Sequence, residues 1–164
     1  VGAVGWLQEI QWQNGEHQSI SHFGFMTNLL NGLLEIPPVW RSPIAISLGA
    51  IPGALGRYYA TLLFARLFGN DFPYATFLVN FTGCIVMGVV VTLATPPREM
   101  SPDLRLLLVV GFLGSYTTFS TFALEVTALL RTGQISEGLV YGFGSLLLGV
   151  IGILLGSLAA GRWV

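Results

Sequence analysis

Apolar residues fill four long stretches of the chain, and short polar segments separate them. A helix needs about 20 mostly apolar residues to cross the hydrocarbon core of a bilayer. The four stretches run roughly over residues 44–68, 74–95, 104–130 and 138–160. Because the connecting segments are short, consecutive helices are expected to be neighbours. The pattern therefore predicts an all-α membrane protein with a compact bundle of four transmembrane helices.

The N-terminal part, residues 1–43, shows a different pattern and is predicted to be an extension of the domain at 44–161. Within it, apolar side chains spaced i, i+3, i+4, i+7 and i+8 indicate a short interfacial helix over 26–36. The paired prolines at 37–38 are expected to end that helix. An extension without fixed structure is an equally open alternative, with Met26 as the natural start of the protein.

Composition supports a membrane protein and excludes several other classes. The chain of 164 residues is 53% hydrophobic and only 9% charged, whereas soluble domains have about 25% charged residues. The formal net charge is −1 and lysine is absent, so no basic surface for nucleic acid is predicted. The single cysteine, Cys84, excludes an internal disulfide or a cysteine-based metal site.

The arginines give little information about the direction in which the helices are inserted. On one side of the membrane we expect four arginines: Arg41, Arg98, Arg105 and Arg162. On the other side we expect two, Arg66 and Arg131. This difference is a weak bias under the positive-inside rule. The chain is therefore a candidate for insertion in both orientations.

Arg57 and Asn80 lie well inside the first and the second predicted helix. Arg57 needs an explanation, because a charge at the bilayer centre costs about 2.5–3.5 kcal/mol on insertion scales. Either its apolar stem carries the charge to the interface, or the charge raises the local potential for an anion. Asn80 either joins neighbouring helices or lines a pathway, since its amide both donates and accepts hydrogen bonds.

The third stretch contains a polar run, GFLGSYTTFSTFALE at 111–125, within an apolar segment. Glycines and hydroxyl residues lower its helix propensity, so we expect a broken helix with Gly114 as a stopping point. Unwound backbone at membrane depth lines a cavity or is buried in protein, and its freed carbonyls can bind a cation. Phe119, Phe122 and Glu125 follow at intervals of three and are predicted to share a face. Either the two rings pack in the core of the protein, or their positive edges bind an anion.

Three motifs together resemble the bacterial fluoride channels, the Fluc or CrcB family. They are GFLGSYTTFSTFALE, then GAIPGALGRYY in the first helix and TFLVNFTG in the second. The resemblance covers about residues 44–161. It implies a passive fluoride channel in the inner (plasma) membrane, built as an antiparallel, dual-topology homodimer with two pores along the subunit interface. It also implies a structural sodium ion at the centre of the dimer.

The resemblance also implies roles for individual residues. Gly114 and Thr117 match the residues whose backbone carbonyls bind sodium, two from each subunit. Asn80, Phe119 and Phe122 match the lining of the pore. The other positions that resemble polar or charged parts of the fluoride pathway are Arg57, Thr118, Glu125, Tyr141 and Ser145. At Gly149 the chain departs from the family, since many relatives have a hydroxyl there.

Other function classes compete with this interpretation. A small dual-topology, proton-coupled exporter of organic cations needs a carboxylate in its first helix, where this chain has Arg57 and no acid. Glu125 is the remaining candidate for that role. A non-transporting membrane subunit would leave Asn80, Arg57 and the broken third helix at membrane depth unexplained together. An enzyme is not expected, because neither His17 nor His22 lies in the predicted bundle to serve a serine nucleophile as base.

Overall fold

The computed structural model describes residues 37–161, apart from positions 97 and 99. The predicted interfacial helix at 26–36 and most of the predicted extension at 1–43 lie outside the described residues. The chain divides into two units between Ile44 and Ala45, and all of the candidate site residues belong to the second unit.

All regular structure in the described part of the chain is helical, which confirms the all-α prediction. The first two helices are α1, Pro38–Phe68, and α2, Tyr74–Leu93. The third predicted helix consists of four consecutive pieces: α3 (Pro102–Arg105), the π-helix π1 (Leu106–Leu113), α4 (Gly114–Tyr116) and α5 (Phe119–Arg131). The last helix is α6, Ile135–Gly161.

Prolines and glycines set several of the helix boundaries. Helix α1 begins at Pro38, earlier than the predicted residue 44, because the fixed φ of proline suits the first helical position. Helix α2 follows Pro73, as predicted. Gly69 after α1 and Gly133 after α5 have φ values of 78° and 84°, a left-handed conformation that glycine adopts without strain.

Three of the described segments have the length and composition to cross a membrane. They are Tyr74–Leu93, Pro102–Arg131 and Ile135–Gly161. Helix α1 covers the whole first predicted span but is not among them, and it carries Arg57 and Arg66 within that span. An arrangement with four spanning helices therefore stays a prediction.

Helices α2 and α6 pack with their backbones in direct contact. A Cβ atom placed on Gly156 would overlap the carbonyl of Ile85, and one placed on Gly88 would overlap the carbonyl of Ile153. The Ser157 hydroxyl also donates to the Gly88 carbonyl at 3.3 Å. Small residues allow such close packing in membranes, where van der Waals contact and polar contacts hold helices together.

Replacing Gly156 by alanine is expected to destabilise the protein by about 1–3 kcal/mol, the usual effect of adding atoms to a packed interior. The added methyl would force α6 away from the Ile85 carbonyl, which belongs to rigid helix backbone. The measurement is the thermal unfolding midpoint of the purified protein. Gly144→Ala is the matched control, since no atom lies within 4 Å of a Cβ at that position of α6. Equal midpoints for the two variants would contradict the described packing.

The π-helix π1 packs against α1 in the same close manner. Cβ atoms on Gly49 and Gly53 would overlap the carbonyls of Leu107 and Phe112, and one on Gly111 would overlap the carbonyl of Ile46. The apolar pattern predicts an ordinary α-helix here, whereas residues Leu106–Leu113 form a π-helix. A π-helix is wider than an α-helix and often occurs near functional sites. Here it leads directly into α4 and the polar run.

Candidate functional site

The third helix is interrupted at Thr117 and Thr118, both of which have extended backbone conformations. Thr117 has φ −79° and ψ 159°, and Thr118 has φ −149° and ψ 112°. Helix α5 then begins, and the Thr118 hydroxyl caps it by accepting a hydrogen bond from the Thr121 N–H at 3.2 Å. Gly114, the predicted stopping point, is itself helical with φ −63° and ψ −30°. A threonine N-cap, rather than the glycine, thus sets the position of the interruption.

Asn80 on α2 holds this extended segment through both of its amide atoms. Its Nδ2 donates to the Thr118 carbonyl at 3.1 Å, and its Oδ1 accepts from the Thr118 N–H at 2.8 Å. Backbone groups that lose their helical partners at membrane depth need replacements, because no water is present to satisfy them. Asn80 therefore replaces the missing hydrogen bonds of Thr118. An amide nitrogen carries two N–H groups, and this contact uses one of them.

A groove of about 380 Å³ brings together six of the predicted site residues. These residues are Asn80, Thr117, Thr118, Phe119, Phe122 and Ser145. The rings of Phe119 and Phe122 lie with their centroids 5.7 Å apart and their planes inclined at 44°. Phe119 is 75% exposed in the single chain. Cys84 and Gly149 line the same groove.

The Ser145 hydroxyl stands out in this groove. Its oxygen is buried, yet it has no hydrogen-bond partner in the described part of the chain. Buried polar atoms nearly always have a partner, so an unsatisfied one in a groove indicates a place for a ligand or water. A hydroxyl can donate to an anion.

Glu125 is held by two hydroxyl groups from other helices. Its Oε1 accepts from the Thr76 hydroxyl of α2 at 2.7 Å, and its Oε2 accepts from the Tyr141 hydroxyl of α6 at 2.8 Å. Tyr141 is only 3% exposed, and its ring packs edge-on against Phe122 with 5.2 Å between the centroids. The carboxylate thereby ties α2, α5 and α6 together beside one of the two phenylalanines.

A second cavity of about 600 Å³ contains the remaining charged candidates. Arg57 and Glu125 line it together with Thr118 and Thr121. Glu125 therefore lies in a different cavity from Phe119, and the two side chains do not share the face that their spacing predicts. Each step of three residues falls about 60° short of a full helical turn, so two steps move a side chain well around α5. Thr118 lines both cavities.

Comparison with known proteins identifies the family. The family model described as CrcB-like protein, Camphor Resistance (CrcB), matches residues 44–157, which is more than half of the chain. The chain belongs to the CrcB family. The family model covers α2, the interrupted third helix, most of α6 and all but the start of α1.

Several curated CrcB relatives carry the name "Fluoride-specific ion channel FluC". The protein from Synechocystis sp. is 71% identical over 77% of this chain and 98% of its own length. Those from Synechococcus sp. and Trichormus variabilis are 49% and 52% identical, over 78% and 73% of this chain and 98% and 88% of their own lengths. The predicted family is thus confirmed. The apolar helices and these names identify a membrane protein of the ion-channel class rather than an enzyme.

The residues expected to bind sodium in this CrcB chain are compatible with a cation. In an unbroken helix the Thr118 N–H would bond to the Gly114 carbonyl, but here it donates to Asn80. The Gly114 carbonyl is thereby relieved of its usual donor, and Thr117 has left the helical conformation. Backbone carbonyls are hard oxygen ligands of the kind that such cations prefer. Among the described residues no cluster of three or more histidine, cysteine, aspartate or glutamate side chains offers an alternative.

Two residues that form hydrogen bonds in the site, Thr76 and Thr121, are not among the predicted site residues. Thr76 binds Glu125, and its position one turn before Asn80 on α2 is the sequence signal that points to it. Thr121 accepts a hydrogen bond from the Thr118 hydroxyl at 3.0 Å. Of the predicted residues, Tyr141 lines neither cavity and acts on the site through Glu125 and Phe122.

Proposed function

We propose that this chain forms a fluoride-selective channel that lets fluoride leave the cell passively through the inner membrane. The observation that carries the proposal is the groove in which Asn80, Phe119, Phe122 and the unpartnered Ser145 hydroxyl lie together. The name of the CrcB relatives supplies the identity of the ion.

Fluoride is small and strongly hydrated, so a selective pathway must replace its water with hydrogen-bond donors. The Ser145 hydroxyl and the second N–H of Asn80 are two such donors on residues that line the groove. The positive edges of the Phe119 and Phe122 rings add weak attraction without introducing a full charge that would trap the ion. A larger halide would fit this set of donors less well.

The groove in a single chain is open, and we propose that a second copy closes it. The ring of Phe119 is 75% exposed and lines the groove, so a second copy that closed the groove would cover it. An antiparallel arrangement, permitted by the weak arginine bias, would give two equivalent pores along one interface. In this arrangement α1 serves as the fourth spanning helix.

The carbonyls of Gly114 and Thr117, with the same pair from the second copy, are the proposed ligands of a structural sodium ion. The bound ion would supply a fixed positive charge that links the two interrupted helices. This proposal rests on the extended Thr117 and on the diversion of the Thr118 N–H to Asn80.

Arg57 and Glu125 are proposed to act at the entrance rather than in the pore. Arg57 lines the larger cavity, where a positive charge raises the local concentration of anions. Glu125 lines the same cavity, but both of its oxygens accept hydrogen bonds from hydroxyl groups of the chain. Those two donors reduce the repulsion that a bare carboxylate would exert on an approaching anion.

The organic-cation exporter is less well supported. Such an exporter needs a carboxylate that is free to exchange a proton for a cation, and Glu125 is engaged by Thr76 and Tyr141. Helix α1 carries no acidic residue. The cavity that holds Glu125 also contains Arg57, whose charge disfavours a cation.

Rapid release of fluoride is the expected result when the purified chain is reconstituted into liposomes loaded with potassium fluoride. A fluoride-selective electrode measures the efflux, and liposomes loaded with chloride serve as the control. Release of fluoride with retention of chloride would support a selective channel. Retention of both ions by demonstrably folded, dimeric protein in sodium buffer would contradict the proposal, and proton-coupled cation uptake would favour the exporter.

A further inference from the structure

Tyr116, the last residue before the interruption, contacts both α2 and π1. Its hydroxyl lies 3.0 Å from the hydroxyl of Thr82 on α2. Its ring stacks on that of Phe112 in π1, with centroids 5.9 Å apart and planes inclined at only 4°. None of the roles assigned to the site so far includes Tyr116 or Thr82.

The direction of the hydroxyl contact follows from the partners of Thr82. The Thr82 hydroxyl has a single proton, which it donates to its own helix, to the Leu78 carbonyl at 2.7 Å and the Val79 carbonyl at 3.1 Å. Its oxygen is therefore left to accept, and the Tyr116 O–H donates to it. This contact ties the end of α4 to α2 across 34 positions of sequence.

Two glycines give the Tyr116 ring its place between α1 and α2. A Cβ on Gly56 of α1 would lie 3.6 Å from Cδ2 of the ring, and one on Gly83 of α2 would lie 3.3 Å from Cδ1. The same Cβ on Gly83 would overlap the methyl group of Thr117. The two long edges of the ring thus lie against the backbones of two different helices.

We propose that Tyr116 and Thr82 are positioning residues that set the carbonyls of Gly114 and Thr117 for the sodium ion. Helix α2 then holds the interruption at two points: Thr82 binds the residue before it and Asn80 binds Thr118 within it. Along the chain, Thr117 lies between these two attachments, and Gly114 lies two residues before the first of them. The inference rests on the proposed sodium site. Whether Tyr116 and Thr82 hold the interruption in place can be tested separately, without sodium.

The test compares Tyr116→Phe, Thr82→Val, Thr82→Ser and the double variant Tyr116→Phe/Thr82→Val with the parent protein. Sodium chloride is titrated against an organic-cation chloride at constant ionic strength, and the thermal unfolding midpoint is recorded at each point. Loss of one hydrogen bond is expected to raise the sodium concentration for half-maximal stabilisation about fivefold in Tyr116→Phe.

The pattern across the variants distinguishes positioning from a general loss of stability. Thr82→Val should have the larger effect, because it leaves the Tyr116 O–H without an acceptor, and the double variant should be less affected than the sum of the two. Thr82→Ser keeps the hydroxyl and should restore the parent value. Thr92→Val is the control, since the Thr92 hydroxyl donates to the Gly88 carbonyl of its own helix, away from the interruption.

Amide hydrogen exchange in the absence of sodium tests whether Tyr116 and Thr82 hold the interruption in place. Exchange at Thr117 and Thr118 should be faster in Tyr116→Phe and Thr82→Val and unchanged in Thr82→Ser and Thr92→Val. Parent-like sodium titration and exchange in the first two variants would overturn the inference. If the parent protein shows no stabilisation by sodium, the sodium site itself is refuted, and the exchange rates then decide whether Tyr116 anchors the interruption.

Discussion

Fluoride efflux is expected to fall by about 100-fold or more when Asn80 is replaced by aspartate, because two charges about 4 Å apart repel by several kcal/mol at a protein surface. The substitution places a carboxylate in the groove and also removes the Nδ2 donor of the Thr118 carbonyl. The Oδ acceptor for the Thr118 N–H is retained. The measurement is fluoride efflux from liposomes with an ion-selective electrode.

The neutral variant Asn80→Ser distinguishes the effect of the added negative charge from the effect of the lost hydrogen bonds to Thr118. It also loses the two-point contact with Thr118, but it adds no repulsion. We expect it to conduct better than Asn80→Asp at equal levels of folded dimer. If the aspartate variant conducted as well as the parent protein, Asn80 would not lie on the pathway, and its role would be limited to holding Thr118.

Replacing Phe119 or Phe122 by isoleucine is expected to lower fluoride efflux about tenfold each while the dimer remains assembled, since ring geometry contributes about 0.5–1.5 kcal/mol beyond apolar area. Isoleucine keeps an apolar surface but has no positive edge. Phe122→Ile should have the larger effect, because it also removes the edge-on contact with Tyr141. Efflux is measured by electrode and assembly by size-exclusion chromatography.

The matched control for these two variants is Phe143→Ile. Phe143 lies on α6, is 69% exposed and lines neither of the two cavities. Its replacement should leave efflux unchanged. Equal efflux in all three variants would show that the rings of Phe119 and Phe122 serve only in packing.

The sequence allowed the helices to be placed because their ends have local chemical causes. Pro73 opens α2, and Gly69 and Gly133 adopt the left-handed conformation that ends α1 and α5. These signals lie within a few residues of the boundary that they set. Apolar length alone then indicates which segments suit a bilayer.

The contacts that build the site could not be predicted in the same way, because they join distant positions. Asn80 and Thr118 are 38 positions apart, and their pairing depends on how closely α2 approaches the interruption. Thr76 and Glu125 are 49 positions apart. A single sequence marks these residues as polar and out of place in a membrane, but not as partners of each other.

The π-helix was missed for a different reason. Its sequence, LLLVVGFL, is apolar at every position, so it has no periodicity that distinguishes a π-helix from an α-helix. The close contact of Gly49 and Gly53 with π1 is a tertiary feature, and it is visible only once α1 lies beside this segment.

Thr118 borders both cavities, and it is the one described residue that their linings have in common. In the proposed channel, water and ions would fill the larger cavity, and little of the membrane potential would fall across it. The membrane potential would then fall mainly across the short step past Thr118, where one elementary charge gains about 2.3 kcal/mol per 100 mV. Because Asn80 occupies both backbone groups of Thr118, the residue at this step cannot swing freely, and the voltage would act on the ion rather than on the protein.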